Sequence, residues 1–468
     1  MMKKAELYCG LLTASAIMTL AGAGTALAAE WVAEGTEWRY LENNGSFAAD
    51  TWKTDNGISY YLGNDGYMLR NTLIEDGENY YYVRSSGAML TNEWRYLDNP
   101  EWQGDDLVGE GSWYYFGSNG RAVRTTGDRV KIEEIGGKKY AFDTYGRMMT
   151  GWISESGEAV NEDNWEEGLY YADPEGSGEL LINAWTSMSV TDEDNEDDTS
   201  PTYYFYLTSS GKKSTDTEKT IGDKKYLFDS RGVALYGWHR DDDEAQSWRY
   251  FGNMEDPYLR TGWFEAVPDE ELDAEDYNDG TSHWYYSSSN GRISCSEFDT
   301  IDGKTYAFNG SGERVTGLKA ITFDGESSKK ITSITTIDYI EDLPSGNDSS
   351  VKVFYFNDDG TVRTGDVTID VDGTRYDFSF RTTGSPKGAG AMGIDDNKIY
   401  DHGRCLTAED DTKYQVVSWD GSNYLVNESG AIQKNRKNLK DADGYYYCTN
   451  KDGTLLHGPL DDRCTEKH

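Results

Sequence analysis

The feature that most constrains this chain is a short pattern that returns many times: aromatic residues side by side, a polar turn, and a glycine. At 112–120 it reads SWYYFGSNG, and it recurs as SYYLGNDG (59–66), YYYVRSSG (80–87), KYAFDTYG (139–146), LYYADPEG (169–176) and KYLFDSRG (225–232). Further copies are WYYSSSNG (284–291), TYAFNGSG (305–312) and VFYFNDDG (353–360). Many are followed by a second short segment ending in Gly-Trp, as in RMMTGW (147–152), VALYGW (233–238) and YLRTGW (258–263). A strand, a Gly/Asn/Asp turn and a second strand make a β-hairpin. One hairpin alone is marginal in water, so the units must stack to share a buried face. The expected fold is therefore all-β, an elongated solenoid of stacked β-hairpins. No segment sustains a capped 3.6-residue period, so long helices are not expected.

Alternate strand residues face opposite sides, which separates Tyr114 and Phe116 from Trp113 and Tyr115. The Tyr114 column continues as Tyr140, Tyr170, Tyr226, Tyr285 and Tyr306, and the Phe116 column as Phe142, Phe228 and Phe308. That face suits a repeating core. On the other face three copies carry Lys139 with Ala141, Lys225 with Leu227, and Thr305 with Ala307. Aromatic residues are optional there, which points to ligand contact rather than packing. Trp38-Arg39-Tyr40 and Trp248-Arg249-Tyr250 depart from the scheme by placing arginine on the core face.

Charge narrows the partners. With 84 Asp and Glu against 44 Lys and Arg, the net charge is -40, which disfavours nucleic acid and anionic lipid and leaves cationic or neutral ligands. Lys3 and Lys4, an apolar run from Leu11 to Leu20 and the small-residue site Ala26-Leu27-Ala28 read as a signal peptide over 1–28. The run is too short to cross a bilayer, so no membrane insertion is expected. Residues 29–318 read as hairpin repeats with acidic insertions, and 319–468 as degenerate repeats or a small C-terminal β domain. Cys295, Cys405, Cys448 and Cys464 show no regular spacing, although a pair among the last three fits an oxidising compartment.

The alternation of aromatic cluster, polar turn, glycine and Thr-Gly-Trp resembles the cell-wall-binding repeats of Gram-positive surface proteins, of the choline-binding and glucan-binding type. The resemblance runs from Trp31 to the region of Gly453. It implies ligand sites between successive hairpins, each built from the Gly-Trp of one and the Trp-x-Tyr face of the next. On that geometry Trp238 with Trp248 and Tyr250 is the cleanest candidate, because only nine residues separate the two tryptophans. Trp94 with Trp113 and Tyr115, and Trp263 with Trp284 and Tyr286, are further candidates interrupted by insertions. Aromatic faces around a cavity suit a quaternary ammonium, at about 0.5–2 kcal/mol per contact, and also stack on sugar rings.

Catalysis has little support. The five histidines, His239, His283, His402, His457 and His468, lie in no recognisable catalytic motif, and a lone His402-x-x-Cys405 has no partner. The acidic insertions 191–201, 241–246 and 268–280 lack the ligand spacing of a calcium loop and read as solvated. No cofactor and no metal are expected. The expected function is non-enzymatic: a secreted protein held non-covalently at the cell wall or cell surface, binding choline-substituted teichoic acid or a wall glycan, with host or neighbouring-cell glycans as further partners. The alternatives are an acidic structural or interaction rod with few ligand sites and, less favoured, a glycan hydrolase.

Overall fold

The computed structural model describes residues 28–98, 111–161, 164–175, 177–189, 202–240, 247–325, 328–344 and 350–464. Residues 1–27 of the expected signal peptide and the insertions 191–201 and 241–246 lie outside them. Among the described residues regular structure is almost entirely antiparallel strand, with one short α-helix at Ala274–Asp279 and 3-10 turns at Trp165–Glu167 and Ile340–Asp342. The chain divides into two compact units, one running to residue 219 and including 227–234, the other comprising 220–226 and 235–468. The boundary foreseen at 319 falls inside the second.

In the first unit hairpins follow one another along the sequence: Glu30–Glu34 with Glu37–Leu41, Thr51–Asp55 with Ile58–Leu62, and Thr72–Asp76 with Asn79–Val83. Then come Glu93–Asp98 with Gly111–Phe116, Lys131–Ile135 with Lys138–Phe142, Gly151–Ile153 with Tyr170–Ala172, and Ala184–Ser189 with Thr202–Leu207. The second unit continues with Trp238–Arg240 paired to Trp248–Tyr250, Gly262–Ala266 to His283–Ser287, and Glu297–Ile301 to Lys304–Phe308. Beyond these, Gly317–Phe323 is flanked by Ile331–Thr336 and Val351–Phe356, and a five-stranded sheet is built around Thr374–Phe380. A disulfide joins Cys448 to Cys464, while Cys295 and Cys405 are buried free thiols.

This pairing corrects the expected repeat unit. The aromatic strand does not pair with the segment after its glycine; it pairs with the Gly-Trp strand before it. In the short hairpins the turn is a glycine-containing pair between those strands, such as Asn56-Gly57, Gly136-Gly137 or Asp302-Gly303. Asn56 and Gly57 have φ of 50° and 80°, and Asp302 and Gly303 have 49° and 77°, the left-handed pair that a two-residue hairpin turn requires. The long insertions therefore lie within hairpins, between two strands that stay in register.

The glycine after each aromatic strand has another task. Its turn brings the chain back for a single bridge, Leu62 to Met68, Val83 to Met89, Phe116 to Ala122, Phe142 to Met148. The bridging residue then reaches the preceding hairpin: Met89 N–H donates to Ser59 O at 2.8 Å, and Ala122 N–H to Tyr80 O at 2.8 Å. This return residue is the stacking device, and it explains why only one bridge forms on its own strand. At Gly120, where φ is +78°, an added Cβ would lie 2.5 Å from Met89 Cε, so consecutive turns pack directly on one another. The same plan continues past residue 319, where Phe356 bridges Val362 and Val426 bridges Ile432.

The faces divide as the alternation requires. Tyr114, Phe116, Phe142, Tyr285 and Phe308 are fully buried, whereas Trp113 and Trp284 are about two-fifths exposed.

Candidate aromatic binding sites

Within each hairpin the Gly-Trp tryptophan stands directly opposite a tyrosine of the aromatic strand. Trp52 faces Tyr61, Trp94 faces Tyr115, Trp152 faces Tyr171, Trp185 faces Tyr206, Trp238 faces Tyr250 and Trp263 faces Tyr286. Their ring centroids lie 4.9–5.3 Å apart. A third ring comes from the next hairpin: Tyr81 lies 5.0 Å from Trp52, Tyr140 4.8 Å from Trp94, Phe205 5.0 Å from Trp152 and Tyr306 4.7 Å from Trp263. Trp31 repeats the arrangement with Tyr40 and Tyr60.

The expected trios are thus regrouped. Trp238, Trp248 and Tyr250 come together, but in one hairpin rather than two, because Arg240 and Trp238 pair with Trp248 and Tyr250 respectively. Trp248 is not an outward ligand wall: it is 6% exposed and packed with Phe264, Ala266, Tyr285 and Ile293. Tyr285 meets Trp238 at 4.9 Å as the third ring, and this cluster differs from the others by Phe264, which stacks on Tyr250 at 5.2 Å. In the second candidate Trp94 and Tyr115 are together, whereas Trp113 faces Tyr96, 5.4 Å away. In the third, Trp263 and Tyr286 are together, whereas Trp284 stands opposite Glu265.

The fourth position beside each trio is the return residue of the next hairpin, and its chemistry varies. It is Met68 for the Trp31 cluster, Met89 for Trp52, Met148 for Trp94, Ala234 for Trp185 and Ile293 for Trp238. For Trp152 it is Lys213, and for Trp263 it is Arg314. Lys213 Nζ lies 5.6, 6.0 and 5.4 Å from the ring centres of Trp152, Trp165 and Phe205, and it donates to Glu166 O at 3.2 Å. Burial lowers its pKa to about 8, with Asp229 and Glu166 acting in the opposite direction. The Arg314 guanidinium lies 5.9 and 5.6 Å from Trp263 and Trp284. These two cages are filled by the chain's own cations.

The clusters of Trp52 and Trp94 differ, whereas at the Trp185 cluster Lys219 Nζ lies 5.9 Å from the Tyr206 ring. Among the described residues, no Lys or Arg lies over the faces of Trp52, Tyr61 and Tyr81, or of Trp94, Tyr115 and Tyr140. At the Trp31 cluster Lys53 Nζ lies 5.1 Å from the Tyr40 ring. A surface concavity of about 450 Å³ lined by Arg124, Asp128, Arg129 and Lys131 contains no aromatic ring, and its cations disfavour an ammonium ligand. Trp52, Tyr61, Tyr81 and the return residues were not among the site residues expected from the sequence, and Tyr140 and Tyr306, expected in the core column, also supply the third ring beside Trp94 and Trp263. The Asn56-Gly57 and Asp302-Gly303 turns were the signals that fix the true pairing.

Residues 49–94 match the choline-binding repeat and residues 108–122 a cell wall binding repeat, so the chain carries repeats of this family. No curated protein matches it by sequence. Among solved structures it is similar to the modular autolysin LytC from Streptococcus pneumoniae, solved with a synthetic peptidoglycan ligand, at 23% identity and TM-score 0.36, covering 64% of this chain and 56% of that one. The chain thus spans little more than half the length of LytC. It is also similar to choline binding protein F from Streptococcus pneumoniae, at 20% identity and TM-score 0.35, covering 79% of this chain and 100% of that one. CbpJ from Streptococcus pneumoniae has 20% identity and TM-score 0.38, covering 73% of this chain and 99% of that one.

Proposed function

We propose that this choline-binding-repeat chain is a non-enzymatic, secreted protein that attaches to a cell-wall polymer by receiving choline-like quaternary ammonium groups in its unfilled aromatic clusters. The ligand positions are Trp94, Tyr115 and Tyr140 beside Met148, and Trp52, Tyr61 and Tyr81 beside Met89. The observation that carries the reading is the pair of equivalent clusters already holding a cation, Lys213 and Arg314. The same ring arrangement that accommodates an internal ammonium or guanidinium has an uncharged fourth residue where it is left for a ligand. Facing π-clouds attract a cation without needing a counter-charge, and methionine adds a soft, polarisable wall.

Individual sites of this kind are weak. Several on one chain, meeting many ammonium groups on one polymer, gain strength by avidity. The surplus of 84 acidic over 44 basic side chains favours cationic groups generally and repels anionic competitors.

Sedimentation of the protein with purified choline-bearing cell walls tests the reading. Free choline should release the bound protein, and Trp94→Ala combined with Trp52→Ala should reduce retention. Release by soluble wall glycan and not by choline would instead assign the rings to sugar stacking.

A further inference from the structure

The insertion 268–280 folds back within the hairpin of Gly262–Ala266 and His283–Ser287 and brings together groups distant in sequence. Asp276 lies on the short helix, His283 on the aromatic strand and Glu313 in the glycine turn of the next hairpin. One ligating atom from each lies within 4.8 Å of the others, and His283 Nε2 is 2.9 Å from Asp276 Oδ2. Ser311 Oγ donates to Leu272 O at 3.0 Å, tying the insertion to that turn.

Two buried polar atoms at this place have no partner in the protein. Tyr285 is fully buried and its hydroxyl makes no hydrogen bond. Tyr285 and His283 are two apart on one strand and so share a face. Glu313 shows the same tension. Asn309 Nδ2 donates to its Oε2 at 2.8 Å, while Oε1 is buried and unpaired. A buried polar atom left without a partner is costly, and Glu313, with Oε1 unpaired, stands with Asp276 and His283 where a cation would supply the missing partner.

We infer that Asp276, His283 and Glu313 form a binding site for a divalent transition metal of the zinc type. Two carboxylate oxygens and one imidazole nitrogen are the donor set that zinc accepts, leaving a fourth position for water. An imidazole ligand disfavours calcium, which takes oxygen donors. Asn309 holds Glu313 with Oε1 presented, as second-shell partners of metal ligands do. The site would clip the insertion to the following hairpin, and it is independent of choline binding.

Calorimetric titration of the chelator-treated full chain with zinc chloride tests the assignment, alongside His283→Gln, Glu313→Gln and Asp276→Asn. The wild type should bind one zinc ion that these substitutions weaken at least about tenfold, and zinc should raise the melting temperature of the wild type alone. Circular dichroism checks that the variants fold; should His283→Gln not fold, the exchange at Asp276 decides. Undiminished zinc binding by the folded variants, or no zinc binding by the wild type, overturns the site. A melting shift with calcium chloride and none with zinc overturns the choice of metal.

Discussion

The Lys213 ammonium lies 5.6 Å from the centre of the Trp152 ring, at the place in the repeat held elsewhere by Met68, Met89 and Met148. A charged group in an apolar column marks a cluster that supplies its own cation. Its burial lowers the folded pKa to about 8 from the usual 10.5. Between these values the unfolded chain binds more protons than the folded one, so this residue's contribution to stability improves as pH rises. Lys213→Met should therefore raise the melting temperature at pH 7, and its advantage over the wild type should shrink at pH 10. Paired thermal melts at the two pH values check the sign.

Trp248 and Trp284 separate packing from exposure. Trp248→Ala empties a core position shared with Phe264 and Tyr285 and should cost about 3–5 kcal/mol in urea unfolding. Trp284 is 41% exposed, and its replacement by Ala should cost less than about 1 kcal/mol. Equal losses would show that the burial difference does not govern the two positions.

The alternation of faces was legible in the sequence because period two is a local property: Tyr114 and Phe116 are buried and Trp113 is exposed. The pairing was not, because each aromatic strand is flanked by a turn signal on both sides and composition does not say which closes the hairpin. The left-handed pair Asn56-Gly57 does say it, since two such residues suit a tight hairpin turn. The fate of Trp248 depends on Phe264 and Ile293, which arrive from the next hairpin and have no fixed spacing from it. Lys213 could have been found once the return residues were aligned, where lysine and Arg314 interrupt a run of Met, Ala, Leu and Ile.

Gly57 and Gly120 test the turn and the stack separately. Both have positive φ, but an added Cβ at Gly57 meets nothing within 4 Å, whereas at Gly120 it meets Met89 at 2.5 Å. Gly57→Ala should cost about 1–2 kcal/mol from backbone strain alone. Gly120→Ala should cost more, because Met89 must move from between consecutive turns. Denaturant midpoints for the two variants give the comparison.

The most direct test of the proposed function counts ammonium sites by equilibrium dialysis of the purified chain against labelled choline. Saturable binding is predicted, with one site lost in Trp94→Ala, one lost in Trp52→Ala, and none lost in Trp263→Ala, where Arg314 already fills the cage. Absence of saturable choline binding, or an unchanged number of sites when Trp94 and Trp52 are both replaced, would contradict the account.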